Sequence, residues 1–198
     1  MKILFRSLVC ALVISCLLTM TGFYGACEEI RGGVLRLHIL ANSDSDEDQQ
    51  LKLEVRDGLL GYTDRLFSGC KSKDEALRAA GEHIEDIRCF AEMTVREYGY
   101  NYPVQAYVTN MSFDTRVYED ITMPAGRYDA VRIVIGEGNG HNWWCVLFPA
   151  LCLPSAGKDE LSGAMSSAGR DIVSGGDRYE VRFKIVEWAE AFFSLFRR

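Results

Sequence analysis

Two adjacent tryptophans, Trp143 and Trp144, follow a glycine-rich turn in the stretch Gly138-Asn139-Gly140-His141-Asn142-Trp143-Trp144-Cys145-Val146-Leu147-Phe148-Pro149-Ala150-Leu151-Cys152. The run from His141 to Phe148 reads as a strand. Neighbouring residues of a strand point to opposite faces of its sheet. The two largest side chains of the segment therefore cannot enter one core. One packs inside, and the other meets solvent, a covering element or a partner. Tryptophan is enriched among residues that dominate binding energy, so recognition stands beside packing as a role for this pair.

The rest of the chain supplies partners for that strand. Leu35, Leu37 and Ile39 alternate with Arg36 and His38, which predicts a first strand over Val34 to Ala41. Asn42-Ser43-Asp44-Ser45-Asp46 then turns the chain and caps a helix from about Glu47 to Phe67. Its apolar face is Leu51, Val55, Leu59, Tyr62 and Leu66. A second helix is predicted from about Ser72 to Tyr98, with the stripe Leu77, Ala80, Ile84, Ile87, Ala91 and Val95, and Gly99 as its stop. Strands are predicted at Val104 to Asn110, Thr115 to Ile121 and Arg127 to Ile135. The turn Gly136 to Gly140 leads into the tryptophan strand. The fold class is therefore α+β, an antiparallel sheet covered by a pair of packed helices. Residues 154–178 are rich in glycine and serine and read as a flexible linker. Tyr179 to Phe196 reads mainly as an amphipathic C-terminal helix, free to dock on the domain, on a membrane surface or on a partner.

Lys2 and Arg6, an uncharged run from Ser7 to Met20 and the small residues Gly22, Gly25 and Ala26 have the layout of an export signal. Three fates are open to residues 1–26. Cleavage after Ala26 releases the chain, although Tyr24 is bulky for that site. Val13-Ile14-Ser15-Cys16 is similar to a lipoprotein box. Ser7 to Ala26 is also long enough to serve as an uncleaved anchor. The formal charge is −6, and loss of Lys2 and Arg6 makes the chain more acidic still. That argues against nucleic acid as a partner and against electrostatic docking on anionic lipid. Contact with a membrane is left to the N-terminal segment or the C-terminal helix. In an exported chain Cys145 and Cys152, with Pro149 between them, are candidates for a disulfide. Two small buried hydrophobes are the alternative.

No catalytic constellation assembles. Asp44, Asp46 and Asp48 suggest a calcium loop, but Gln49 and Val55 stand where an EF-hand needs glycine and glutamate. A capped helix start accounts for them. His141 and Cys145 lie too far apart along a strand for direct activation of the thiol. The cysteines and histidines lack zinc-site spacing. No catalytic residue, metal or cofactor is expected.

The tryptophan stretch, the block Leu35-Arg36-Leu37-His38-Ile39-Leu40-Ala41-Asn42-Ser43-Asp44-Ser45-Asp46-Glu47-Asp48-Gln49-Gln50-Leu51-Lys52 and the block Pro124-Ala125-Gly126-Arg127-Tyr128-Asp129-Ala130-Val131 resemble the stage II sporulation protein R family, over residues 33–153. The resemblance implies a signalling protein made in the forespore of a sporulating bacterium and secreted into the intermembrane space, with anchoring by the N-terminal segment as the variant. Its implied partner is a membrane-embedded aspartic protease of the mother cell, of the stage II sporulation protein GA type, which then processes pro-sigma-E. On this reading Asn42, Asp44, Asp46, Asn142, Trp143 and Trp144 form the partner-binding surface. The rival classes are a secreted cell-wall-acting enzyme and a structural protein of the intermembrane space.

Overall fold

The computed structural model describes residues 2–118, 121–149, 167–175, 179 and 182–188, without the side chains of residues 12, 13, 16, 17, 167 and 168. The chain divides into two compact units.

One unit runs over Gly33–Ser112 and Arg127–Ala164. Its elements are β1 (Leu35–Leu40), α2 (Asp46–Phe67), α3 (Lys73–Glu82), α4 (Ile84–Glu97), β2 (Val104–Phe113, whose last residue lies outside the unit), β5 (Gly126–Ile135) and β6 (Asn142–Phe148). The four strands form one sheet in the order β2-β5-β1-β6. β1 runs antiparallel to β6, with Leu37 opposite Cys145, His38 opposite Trp144 and Ile39 opposite Trp143. On its other side β1 pairs with β5 in parallel, from Arg36 opposite Ala130 to Leu40 opposite Val134. The sheet is therefore mixed, not wholly antiparallel as the alternation suggested. Alternation fixes which side chains share a face, but it says nothing about strand order.

The α+β class holds, with helices packed over the sheet. Leu35, Leu37, Ile39, Val131, Ile133, Ile135, Cys145 and Leu147 enter one core with Leu51, Val55, Leu59, Ile87, Ala91 and Val95. Leu51, Val55 and Leu59 on α2 and Ile87, Ala91 and Val95 on α4 form the matching stripes at helical spacing, and their burial drives the association. Ser45 caps α2 by accepting from the Asp48 N–H at 3.2 Å. The long second helix predicted from the sequence is two helices, broken at His83. Gly81, a poor helix former, lies just before the break.

The other unit comprises Met1–Gly32, Phe113–Gly126 and Met165–Arg198. Its elements are α1 (Lys2–Gly33, which ends one residue into the other unit), the hairpin β3 (Arg116–Tyr118) with β4 (Ile121–Met123), and α5 (Ser167–Ser174). The single strand predicted at Thr115 to Ile121 is this hairpin. α5 lies inside the stretch read as a flexible linker, and its Ile172 and Val173 are buried. Burial of that one apolar pair supports the short helix, and a single pair is too short a signal to register in a glycine- and serine-rich sequence. The first part of that stretch lies outside the described residues. Of the C-terminal segment, residues 182–188 are helical, and its end is likewise outside the described residues. Phe23 of α1 is buried and lies against the rings of Tyr179 and Phe183, at 5.6 and 5.3 Å between centroids. Toward its start α1 exposes Ile3, Leu4, Phe5, Leu8 and Ile14. Among the described residues no helix is long and apolar enough to cross a membrane.

Candidate functional site

The turn after β1, the start of α2 and the loop before β6 meet at one corner of the sheet. Asn42 sits where β1 ends, and its side chain is used twice. Its amide nitrogen donates to Asp48 Oδ2 at 2.8 Å, and its Oδ1 accepts from the Glu137 N–H at 3.0 Å. The Ser43 hydroxyl donates to the same Asp48 oxygen at 2.6 Å. Burial opposes ionisation of Asp48, but the hydrogen bonds from Ser43, Asn42 and Tyr102 outweigh it and hold the carboxyl below its ordinary range. Asp48 is thus the hub that ties the turn to the helix.

Main-chain bonds close the same corner. The Asn139 N–H donates to the Asn42 carbonyl at 3.1 Å and the Gly140 N–H to the Ala41 carbonyl at 3.0 Å. These approaches need glycine. A Cβ on Gly140 would overlap the Ser43 carbonyl oxygen. Gly136 has φ +58°, and a Cβ there would overlap the Asn42 amide. The glycines of the loop are spacing elements for a hairpin pressed against the turn.

Two charged side chains extend the network. Asp44 Oδ1 accepts from both the backbone N–H and the ring Nδ1 of His141, each at 2.5 Å. The His141 N–H and then its ring hold Asp44 below the usual carboxylate range. Lys52 is buried and donates to Gln49 Oε1 at 2.6 Å and to the His141 carbonyl at 2.9 Å. Burial lowers its pKa, Asp44 opposes that shift and Arg56 adds to it.

The two tryptophans separate as a strand requires. Trp143 faces the helices: it packs against the core, and the Arg56 guanidinium lies 4.4 Å from its ring centroid. Its Nε1 is buried with no hydrogen-bond partner among the described residues. Trp144 faces the other side and stacks on His38, with ring centroids 4.0 Å apart and planes 8° from parallel. Its Nε1 donates to Asn142 Oδ1 at 2.8 Å. Both are part-covered.

Of the residues singled out in the sequence, Asn42 and Asp44 stand in the polar corner. Asn142 braces Trp144. Asp46 is exposed in the first turn of α2. Cys145 is disulfide-bonded, and Cys152 lies outside the described residues. Cys10, Cys27, Cys70 and Cys89 are free. No group of acids, cysteines and histidines suited to a metal ion occurs among the described residues. Lys52 reads in the sequence as an ordinary surface lysine on a capped helix, and its burial shows only in the fold. Asp48 was visible only as part of the cap. From the third block, Asp129 accepts from Lys73 Nζ at 2.7 Å and from Asn110 Nδ2 at 2.9 Å, pinning α3 and β2 to β5.

Residues 31–158 match the family described as stage II sporulation protein R. The chain is also similar to stage II sporulation protein R of Bacillus subtilis (strain 168), with 34% identity over 182 residues that cover 81% of each chain. No solved structure matches. Both sequence blocks that build the corner lie inside the matched span, and the chain belongs to the stage II sporulation protein R family, a family of sporulation proteins.

Proposed function

We propose that this protein is a secreted signal between the two compartments of a sporulating cell. It activates a membrane-embedded aspartic protease of the mother cell, of the stage II sporulation protein GA type, which then processes pro-sigma-E. It does so by binding, and the chemistry belongs to the protease. The observation that supports this reading most is the corner itself: two sequence blocks about a hundred residues apart converge on it and fix a surface bearing Asp44, Asp46, His141 and Asn142. The arrangement is suited to contact. His141 is held by Asp44, and Cys145 is engaged in a disulfide, so neither forms the activated thiol of a cysteine enzyme. Binding drives activation only to the extent that the active state of the protease is bound more tightly than the inactive one.

The test is reconstitution in a bacterium that does not sporulate. The chain, the cognate protease and pro-sigma-E are produced together, and pro-sequence removal is followed by immunoblot. Cleavage that depends on this chain and on its export supports the proposal. Trp143 and Trp144 are then replaced one at a time. At least one variant should fold and be exported yet fail to activate. Absence of cleavage with all three proteins made and folded overturns the proposal.

A further inference from the structure

The loop that joins α4 to β2, Tyr98-Gly99-Tyr100-Asn101-Tyr102, carries three tyrosines that the corner only partly uses. Tyr98 is 52% exposed, and Tyr100 and Tyr102 are half-buried and stacked, with centroids 5.5 Å apart. Gly99, at φ +86°, ends α4 and turns the loop back. Each end of the loop is fastened to a carboxylate of α2. The Tyr98 hydroxyl donates to Glu54 Oε2 at 2.7 Å, and Tyr102 bonds to Asp48. Glu47, Gln50 and Glu54 fall on one stripe of α2 at helical spacing, and Gln50 donates to Glu54 at 2.8 Å. The tyrosine loop therefore runs alongside an acidic edge of the helix. Glu97 and the exposed Met93, one turn earlier on α4, extend the same surface.

The nearby cations are already engaged. Arg56 is bound twice to Asp57 and lies on Trp143, and Arg96 is paired with Glu92. Among the described residues Glu47, Glu54 and Glu97 have no such cation. The bond to Glu54, burial, and then the charges of Glu54, Glu97 and Asp57 all push the Tyr98 hydroxyl above its usual range. Burial, the bond to Asp48 and the charges of Asp48 and Glu47 do the same to Tyr102. The face combines pre-ordered aromatic rings with uncompensated negative charge.

We propose that Tyr98, Tyr100 and Tyr102, with Glu47, Glu54 and Glu97, dock a lysine- and arginine-bearing segment of the protein partner. The cationic heads meet the carboxylates, and their methylene stems lie on the tyrosine rings. Charge complementarity selects this occupant. An acidic or apolar segment would leave the three glutamates unanswered, and like charges facing each other across an interface oppose binding. The face adjoins the polar corner through Asp48. The proposal rests on the reading of this chain as a protein ligand, but its test is independent of signalling.

The probe is a peptide of alternating lysine and glycine, added to the full chain and followed by amide chemical shifts. Changes should concentrate at residues 47–54 and 97–102. Replacing Glu54 and Glu97 together by Gln should weaken binding roughly tenfold, as expected when close charge pairs are removed. Removing two exposed acids elsewhere, Asp64→Asn with Glu82→Gln, should leave it unchanged. Tyr98→Ala should weaken binding and Tyr98→Phe should retain most of it, since the ring is the contact. Equal weakening by both acid pairs would reduce the effect to net charge and overturn the proposal, as would equal binding of a glutamate–glycine peptide. If binding maps to this face but the reconstituted protease is not activated, the signalling role fails and the docking face stands.

Discussion

The two faces of the central sheet are built from alternate residues of the same strands, yet they differ in kind. On the helix side, Leu35, Leu37, Ile39, Val131, Ile133 and Ile135 are buried and wholly apolar. On the other side the same strands present Arg36, His38, Tyr128, Arg132 and Trp144. Arg36 is fully buried, donates through Nε to the Cys145 carbonyl at 2.9 Å and lies 5.0 Å from the Tyr128 ring centroid. His38 is 3% exposed beneath Trp144. Arg132 lies 5.7 Å from the Tyr107 centroid. One face gains stability from area alone. The other buries cations and must return, through rings and a carbonyl, what water gave them.

That contrast is sharpest at two residues of β1 three positions apart, which face opposite sides of the sheet. Ile39→Ala should cost about 4 kcal/mol, the usual loss for truncating a large buried aliphatic side chain that leaves a cavity. Arg36→Ala should cost about 3 kcal/mol, since it removes a charge-assisted bond and the stack on Tyr128. Urea unfolding of each variant measures both losses. Arg36→Met is the variant that can break the comparison. A buried ion replaced by an apolar side chain of similar volume is often no less stable. If Arg36→Met matches the parent protein, the second face is ordinary packing and the arginine serves something other than stability.

The apolar face was legible in the sequence and the polar one was not, for a physical reason. Alternation of Leu35, Leu37 and Ile39 with Arg36 and His38 is the pattern of a half-exposed strand. Nothing in it shows that β1 would be an inner strand, flanked by β5 and β6. The capped start of α2 could be read because Ser45 and the acids act locally. Of the corner, Asn42 stands out in the sequence beside a turn and Asp44 among the acids of the helix start, and both make bonds there, whereas Asn142 bonds to Trp144. The burial of Lys52 and His38 depends on chain segments about a hundred residues away, which no local pattern shows. The tyrosine loop reads in the sequence as no more than a helix stop, since its acidic neighbours lie on another helix.

The histidine on the polar face gives a pH test of the same contrast. Burial first, and then the charge of Arg132, lowers its pKa from 6.5 to about 4. Between those values the unfolded chain binds a proton at this residue and the folded chain does not. Stability contributed by neutral His38 is therefore complete above pH 6.5, falls as the pH drops, and is lost once the pH passes below about 4. His38→Phe keeps a ring under Trp144 but cannot titrate. The stability gap between the parent protein and this variant should shift in favour of the variant across that window. A gap that stays constant with pH would mean that His38 is hydrated in the folded state.

The smallest expected effects distinguish the two tryptophans. Trp144 has its N–H satisfied by Asn142, so Trp144→Phe and Asn142→Ala should be coupled by about 0.5 to 1 kcal/mol in a double-mutant cycle. Trp143 has no such acceptor among the described residues, and its energetic partner is the guanidinium of Arg56. Trp143→Phe keeps an aromatic face, so its coupling to Arg56→Ala should be weak, whereas Trp143→Leu should show about 0.5 to 1 kcal/mol. The opposite pattern, with Trp143→Phe strongly coupled and Trp144→Phe uncoupled, would mean that the polar edges of the rings matter at the helix face and not at the other. The difference in chemistry between the two sides of the sheet would then end at β1 and not extend to β6.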